Sequence, residues 1–279
     1  MKVEMLLVTC CLEPSRLEIL NQVVDNILQN IPYSRVSLTV FDNGSTEKGT
    51  VELLDANFMN LYRAEKNVGY WSAIDWWLCN IEQTVAAKML SPTETKYTYI
   101  IESDMIHYDF SKIWECVDFL DTHEDVGSVR LHEYSIAEQY LFNKDCPRPD
   151  SKRGLWQSHT NRFTGLPVTF EQASPLIWNT TFLTQLPALN RLQTMKDVFS
   201  DLRTRQSFRE PDFQKAYWDR YQKTAILDGG IFHCNLNKYG TKNITGSWSS
   251  EEELKKIGYQ ATRTASIVPQ DRYKVIHVR

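Results

Sequence analysis

Apolar and polar positions along the first half of the chain fall into blocks that change period. Val3 to Cys10 is a short, largely apolar run, the pattern of a strand covered on both faces. From Pro14 and Ser15 the period lengthens. Leu17, Leu20, Val24, Ile27, Leu28 and Ile31 recur at helical spacing, which predicts a helix stopped by Pro32. Val36 to Phe41 predicts a second strand and runs into Asp42-Asn43-Gly44-Ser45, a strong turn signal. The same reading gives a short helix over Thr50 to Asn57, a strand over Met59 to Tyr62 and a helix over Gly69 to Gln83. It then gives a strand over Tyr97 to Ile101 and a helix over Ser111 to Thr122, with Ile113, Val117 and Leu120 on one face. Strand alternating with helix predicts an α/β fold, a mostly parallel sheet flanked by helices.

The second half is less regular. Residues 143 to 170 carry Pro147, Pro149, Gly154, Gly165 and Pro167 and predict a long loop, a kind that is usually functional or disordered in a compact domain. Phe208 to Gln222 predicts a helix with Pro211 in its first turn, and Ala225 to Phe232 a last strand. From Asn235 the chain is polar, with one helix expected over Ser250 to Ile257. Neither a repeat nor a low-complexity tract interrupts this order.

Composition narrows the function. Over 279 residues the chain is 42% hydrophobic and 24% charged, the balance of an ordinary globular protein. Its formal net charge of −4, without any dense Lys/Arg run, excludes a global field for polyanions, so no nucleic-acid partner is expected. The apolar stretch Met5 to Leu12 is too short to span a membrane and lacks a signal-peptide pattern, so no transmembrane segment is expected. Six cysteines without a CxxC pair read as reduced thiols of a cytoplasmic protein. The sequons at Asn43, Asn179 and Asn243 then read as coincidence.

In an open parallel sheet, ligands bind beyond the carboxyl ends of the strands. Here those ends carry Thr9 and Cys10, then Asp42-Asn43-Gly44-Ser45, then Lys66-Asn67-Val68-Gly69, then Glu102-Ser103-Asp104. The last is the sharpest element. Two carboxylates two residues apart on an extended segment point the same way, and they repel unless a cation or proton lies between them. Hard oxygen donors of this kind suit Mg2+ or Mn2+ alongside substrate phosphates. The plain alternative is a pair of solvated acids in a loop. Asp42-Asn43-Gly44 likewise reads as a good turn, or as a turn whose Asp accepts from a base or ribose. Gly69 permits close backbone approach to a ligand.

Val8-Thr9, Asp42-Asn43-Gly44-Ser45, Asn67-Val68-Gly69 and Glu102-Ser103-Asp104 together resemble the nucleotide-sugar half of a family 2 glycosyltransferase with the Rossmann-like GT-A fold. The resemblance covers about residues 3 to 125 and continues more weakly to about 250. It implies one GT-A domain, with a nucleotide-sugar-binding half over 1–125 and an acceptor-binding, catalytic half over 126–279. It implies that Asp42 contacts the nucleobase, usually uracil, that Thr9 lies beside base and ribose, and that Asn67 and Gly69 shape the nucleoside pocket. Glu102-Ser103-Asp104 stands where the family has Asp-x-Asp, with Glu102 a departure and Asp104 an implied metal ligand. Asp75 stands where the family often has Asn.

In the second half, Arg209-Glu210-Pro211-Asp212 matches the family's acidic run at a helix start, and His233 matches its later histidine. Residues two apart on a helix point about 200° apart, so Glu210 or Asp212, not both, faces the site as base; Glu210 is favoured. Both also suit a helix N-terminus simply as acids at the positive end of the dipole. His233, otherwise a core residue at a strand end, is by resemblance a third metal ligand with Asp104 and Glu102. The implied enzyme is an inverting, Mn2+- or Mg2+-dependent transferase moving a sugar from a nucleoside diphosphate sugar to a glycan or other hydroxyl acceptor.

Trp76, Trp77, Trp114 and Trp218 fall in predicted helices and read as core, whereas Trp71, Trp156 and Trp248 are candidates to stack on a sugar. Thr241 to Ser249 is a candidate lid, with Lys242, Arg263 and Lys274 as helpers or a solvated tail. A nucleotidyltransferase would want a Gly-rich, basic loop after the first strand, which Cys10-Cys11-Leu12-Glu13-Pro14 is not. A non-catalytic nucleotide- or glycan-binding module on the same fold is the remaining alternative.

Overall fold

Strands with apolar residues on both sides pair edge to edge and take helices on both faces. The computed structural model describes residues 2–83, 95–107, 109–132, 160–181, 183, 187–233 and 275–277. In it β1 (Lys2–Thr9), β2 (Val36–Asp42), β3 (Leu61–Ala64) and β4 (Thr95–Glu102) run parallel in the order β3-β2-β1-β4. They are interleaved with α1 (Pro14–Asn30), α2 (Lys48–Asn57) and α3 (Tyr70–Asn80). Strands β2 and β3 extend to one side of β1 and β4 lies on the other, so the order reverses at the β1/β4 crevice.

The second half adds β5 (Met105–His107), α4 (Lys112–Thr122), β6 (Val126–His132), β7 (Phe170–Gln172), β8 (Ile177–Thr180) and β9 (Ala188–Arg191). It continues with α5 (Leu192–Arg205), α6 (Glu210–Trp218), β10 (Lys223–His233) and β11 (Val275–His277). The full order is β11-β3-β2-β1-β4-β9-β6-β10-β8-β7, with β5 paired to β10. The long ladders of β1 with β2 and β4 are parallel, as is β6 with β10, while the shorter strands β5, β7, β8, β9 and β11 pair antiparallel. The α/β class and the helix-flanked sheet match the sequence expectation; the antiparallel strands make the sheet mixed. Because β9 pairs with β4, the two halves of the chain share one sheet.

Alternation along β1 splits the core. Val3, Met5 and Leu7 pack with Leu20, Val24 and Ile27 of α1, Leu54 of α2 and Val117 and Leu120 of α4. Leu6 and Val8 pack with Ile74 and Trp77 of α3, Phe199 and Leu202 of α5 and Tyr217 of α6. Trp77 and Trp218 are buried, as expected of core tryptophans.

Several boundaries move. Strand β3 starts at Leu61 instead of Met59, because Asn60 turns its amide onto Leu38 O (3.1 Å) and Thr39 Oγ1 (2.8 Å) and leaves Met59 exposed. Helix α3 ends at Asn80, before Gln83, and α6 spans Glu210–Trp218, shorter than the span 208–222. Most of the long loop, the candidate lid, the helix over 250–257, Trp156, Trp248, Lys242, Arg263 and Lys274 lie outside the described residues.

Candidate nucleotide-sugar site

The turns after β2 and β3 are built against each other. Asn43 donates through Nδ2 to Asn67 Oδ1 (3.1 Å) and accepts at Oδ1 from Val68 N (2.9 Å). Asn67 Oδ1 also accepts from Gly69 N (2.7 Å), and its amide reaches Cys10 Sγ (3.2 Å). Gly44, at φ +74°, lets the two backbones touch: a Cβ there would lie 2.3 Å from the carbonyl carbon of Lys66. Gly69, at φ +89°, starts α3 with open space around it. The β1 end is tied in by Asn43 N donating to Thr9 O (2.7 Å) and Cys11 N donating to Ser45 Oγ (2.8 Å). Thr9, Asp42, Asn67 and Gly69 are therefore brought together at one edge. Asn43 is buried in this lock, which leaves its sequon without an accessible amide.

Asp42 is closed to solvent. Its Oδ1 accepts from Ser45 N (2.9 Å) and its Oδ2 from Arg63 Nε (2.7 Å), while Arg63 also reaches Asp55 (2.9 Å). In this conformation the carboxylate is a turn-former and ion-pair partner with no surface turned to a base. Next to it, burial first and Asp42 second push the Cys10 thiol up to about 11, so it is protonated at neutral pH.

Across the β1/β4 crevice, Glu102 is the register partner of Val8 and accepts from Tyr70 Oη (3.2 Å). Ser103 turns the chain, and Asp104 is buried with its Oδ2 3.5 Å from an Arg16 guanidinium nitrogen. Arg16 is the third residue of α1 and its side chain is only 12% exposed. Burial lowers its pKa from the ordinary value, and Asp104 opposes that shift. Arg16 is not among the residues that the strand-end pattern singles out, because it lies inside the first turn of the helix. The available signal was a cation in a helix's first turn, where the dipole disfavours it.

Strand β5 follows Asp104 at once and pairs antiparallel with β10, so that Met105 is the Cα partner of His233. His233 is thus set beside Met105, the residue that follows Asp104. Gly229 (φ +77°) and Gly230 (φ +98°) kink β10 just before it, where its register to β6 shifts. The His233 side chain is outside the described residues. Among the described residues, no group of three His, Cys, Asp or Glu side chains is placed to hold a metal. The donor pair Glu102 and Asp104 still fits a cation of the Mg2+ or Mn2+ kind, which binds through one or two carboxylates and completes its shell with water and phosphate.

Helix α6 reaches the same region through aromatic contacts. Phe213 stacks on Trp71 (4.9 Å between centroids), and Trp71 meets Tyr70 edge-on (5.4 Å). Trp71 is thereby a packing residue between α3 and α6. The two acids of α6 differ. Asp212 accepts from Ser207 Oγ (2.6 Å) and Arg209 Nε (2.8 Å), and the hydrogen bond from Arg209 holds it below the usual carboxylate range. Glu210, the first residue of the helix, accepts from Gln214 (2.9 Å) on its own helix. Asp75, buried on α3, pairs with Arg203 of α5 (2.5 Å) and serves packing between those helices.

No protein-family model matches this sequence, and no curated protein matches it. Solved structures similar to it include residues 1–349 of S. aureus TarS in complex with UDP, at 14% identity and a TM-score of 0.46. The same fragment without the nucleotide aligns at 14% and 0.45. Each alignment covers 82% of this chain and 58% of the TarS fragment, so this chain spans a little over half of that neighbour. A mannosyltransferase from Pyrobaculum calidifontis, PcManGT, in complex with GDP-Man and Mn2+, aligns at 16% identity over 48% of this chain and 36% of its own, with a TM-score of 0.35.

Proposed function

We propose that the protein is a GT-A glycosyltransferase that moves a sugar from a nucleoside diphosphate sugar, a UDP-sugar first among them, to an acceptor hydroxyl of a glycan. One observation carries this reading: a buried acid, Asp104, stands at the reversal of strand order, on the same carboxyl edge of the parallel strands as the locked turns after β2 and β3. The nucleoside lies against the edge formed by Thr9, the Asp42 turn and the Asn67–Gly69 turn. Asp42 acts there by holding the turn, since its own oxygens are engaged by Ser45 and Arg63. The diphosphate lies over Glu102, Ser103 and Asp104.

A divalent cation, Mn2+ or Mg2+, would be held by Asp104 and Glu102 with His233 as third donor, and would supply positive charge opposite the departing diphosphate. Charge balance supports the need for it. The two carboxylates and an anionic diphosphate repel one another, and a divalent cation between them removes that repulsion. Glu210 takes the acceptor proton as the hydroxyl attacks the anomeric carbon, with inversion. The hydrogen bond from Arg209 holds Asp212 below the usual carboxylate range and makes it the weaker base, which supports Glu210.

The test is a panel of nucleotide sugars, each with and without Mn2+, read as a shift in melting temperature and then as donor hydrolysis and transfer. A shift by one donor class with turnover supports the proposal. Binding without turnover would point to a non-catalytic module, and no shift by any donor contradicts the reading.

A further inference from the structure

Arg16 stands against two ordinary preferences. It is a cation in the first turn of α1, where the helix dipole is positive. Its guanidinium is largely withdrawn from water, with its Nη 3.5 Å from the Asp104 carboxylate, ion-pair range that leaves the contact separable. It also bridges the crevice at which the strand order reverses, from the first turn of α1 to the turn after β4. Nearby at the end of β1, Thr9 is buried and its Oγ1 has no hydrogen-bond partner among the described residues. A cation with only a packing role would gain by lying at the surface or at a helix C-terminus.

We propose that Arg16 is the residue that binds the donor's diphosphate, and that its pairing with Asp104 is the resting arrangement it leaves when a divalent cation takes that carboxylate. This rests on the nucleotide-sugar reading above and deepens it. A cation arriving at Asp104 repels the guanidinium and removes its counter-charge together. The guanidinium then faces the phosphates at the N-terminus of α1, where a planar fork of donors suits two phosphate oxygens. Arg16 and the cation thus compete for Asp104 while cooperating on the diphosphate, and this opposition gives the idea a signature that a structural ion pair lacks.

The experiment titrates Mn2+ alone, UDP with Mn2+, and uridine into wild type, R16Q and R16K, with melting curves as the check on folding. In R16Q, Mn2+ alone is expected to bind about threefold tighter or more, since its competitor is gone. UDP in the presence of Mn2+ is expected to bind about tenfold weaker or more, and uridine as in wild type. R16K should recover part of the UDP affinity. If R16Q weakens Mn2+, UDP and uridine alike, or leaves UDP unchanged, Arg16 is a structural partner of Asp104 and the inference is wrong. Should R16Q fail to fold, R16K, which keeps the charge and loses the two-donor fork, is read instead, and a UDP affinity equal to that of wild type overturns the inference. Wild type binding neither UDP nor any other nucleoside diphosphate would sink the glycosyltransferase reading itself, whereas UDP binding that ignores Arg16 sinks only this inference.

Discussion

Arg63 Nε donates to Asp42 Oδ2 at 2.7 Å, so the last residue of β2 is clamped by the strand beside it. Asp42 has no exposed surface and the Arg63 side chain is 17% exposed, so removing either partner leaves a charge in a nearly dry place. Arg63→Met and Asp42→Ala should each cost about 3 kcal/mol. Urea denaturation midpoints check this. Arg63 keeps Asp55 as a second partner, so Asp42→Ala should be the milder change for Arg63 but should also loosen the turn at Ser45 N. Equal stability of all three proteins would show that the clamp contributes little.

Glycines 44 and 69 share positive φ and differ in surroundings. At Gly44 an added Cβ meets backbone of the neighbouring turn at 2.3 Å, and at Gly69 the nearest atom is Ser72 Oγ at 4.0 Å. Gly44→Ala should cost about 3 kcal/mol or more and disturb nucleoside binding, because backbone must move. Gly69→Ala should cost only the strain of its conformation, about 1–3 kcal/mol. Thermal unfolding of the two variants side by side separates clash from strain.

His107 is buried, accepts or donates at Nε2 with Tyr99 Oη at 2.6 Å, and stacks on Phe110. Burial pushes its pKa down from 6.5 to about 3. The unfolded chain therefore binds a proton below pH 6.5 that the folded chain refuses. Stability from this group is complete above pH 6.5 and is lost as pH falls toward about 3, by up to about 1.4 kcal/mol per pH unit. Unfolding free energies between pH 7 and 5 should fall less steeply in His107→Gln than in wild type; identical slopes contradict the assignment.

For the base, Glu210→Gln should lower kcat about a hundredfold or more and leave the affinity for the donor nucleotide unchanged. Asp212→Asn should instead lower stability by about 1 kcal/mol, through weaker bonds from Ser207 and Arg209, with turnover largely kept. The reverse pattern moves the base two residues along α6.

The parts of the fold legible in the sequence are those with a short run rich in apolar and β-branched residues or a helical stripe: β1, β2, β4 and β10, and α1, α2, α3 and α4, with β3 and α6 shifted at their ends. Strands β6 and β9 escaped because polar residues break up their apolar positions: buried Ser128, Arg130 and His132 alternate with or adjoin Val129 and Leu131 in β6, and buried Asn190 follows Leu189 in β9. Glu4, Thr98, Asn190 and Ser128 are successive register partners in one buried polar row across the sheet, a relationship that only the strand pairing reveals. Helix α5 was readable in principle, since Thr194, Met195, Val198, Phe199 and Leu202 recur at helical spacing. At the site, the strand-end residues were legible as a set because each follows an apolar run. Their partners Arg63 and Arg16 were not: one sits inside a short strand and the other inside a helix, and only the tertiary fold turns them toward Asp42 and Asp104.

The most direct measurement is a crystal structure of the protein grown with UDP and Mn2+, with an anomalous map collected for manganese. The account predicts a manganese peak against Asp104, the uracil beside the turns at Asp42 and Asn67, and the diphosphate between them at the β1/β4 crevice. A nucleotide bound elsewhere, or a crevice without manganese at saturating UDP, would contradict it.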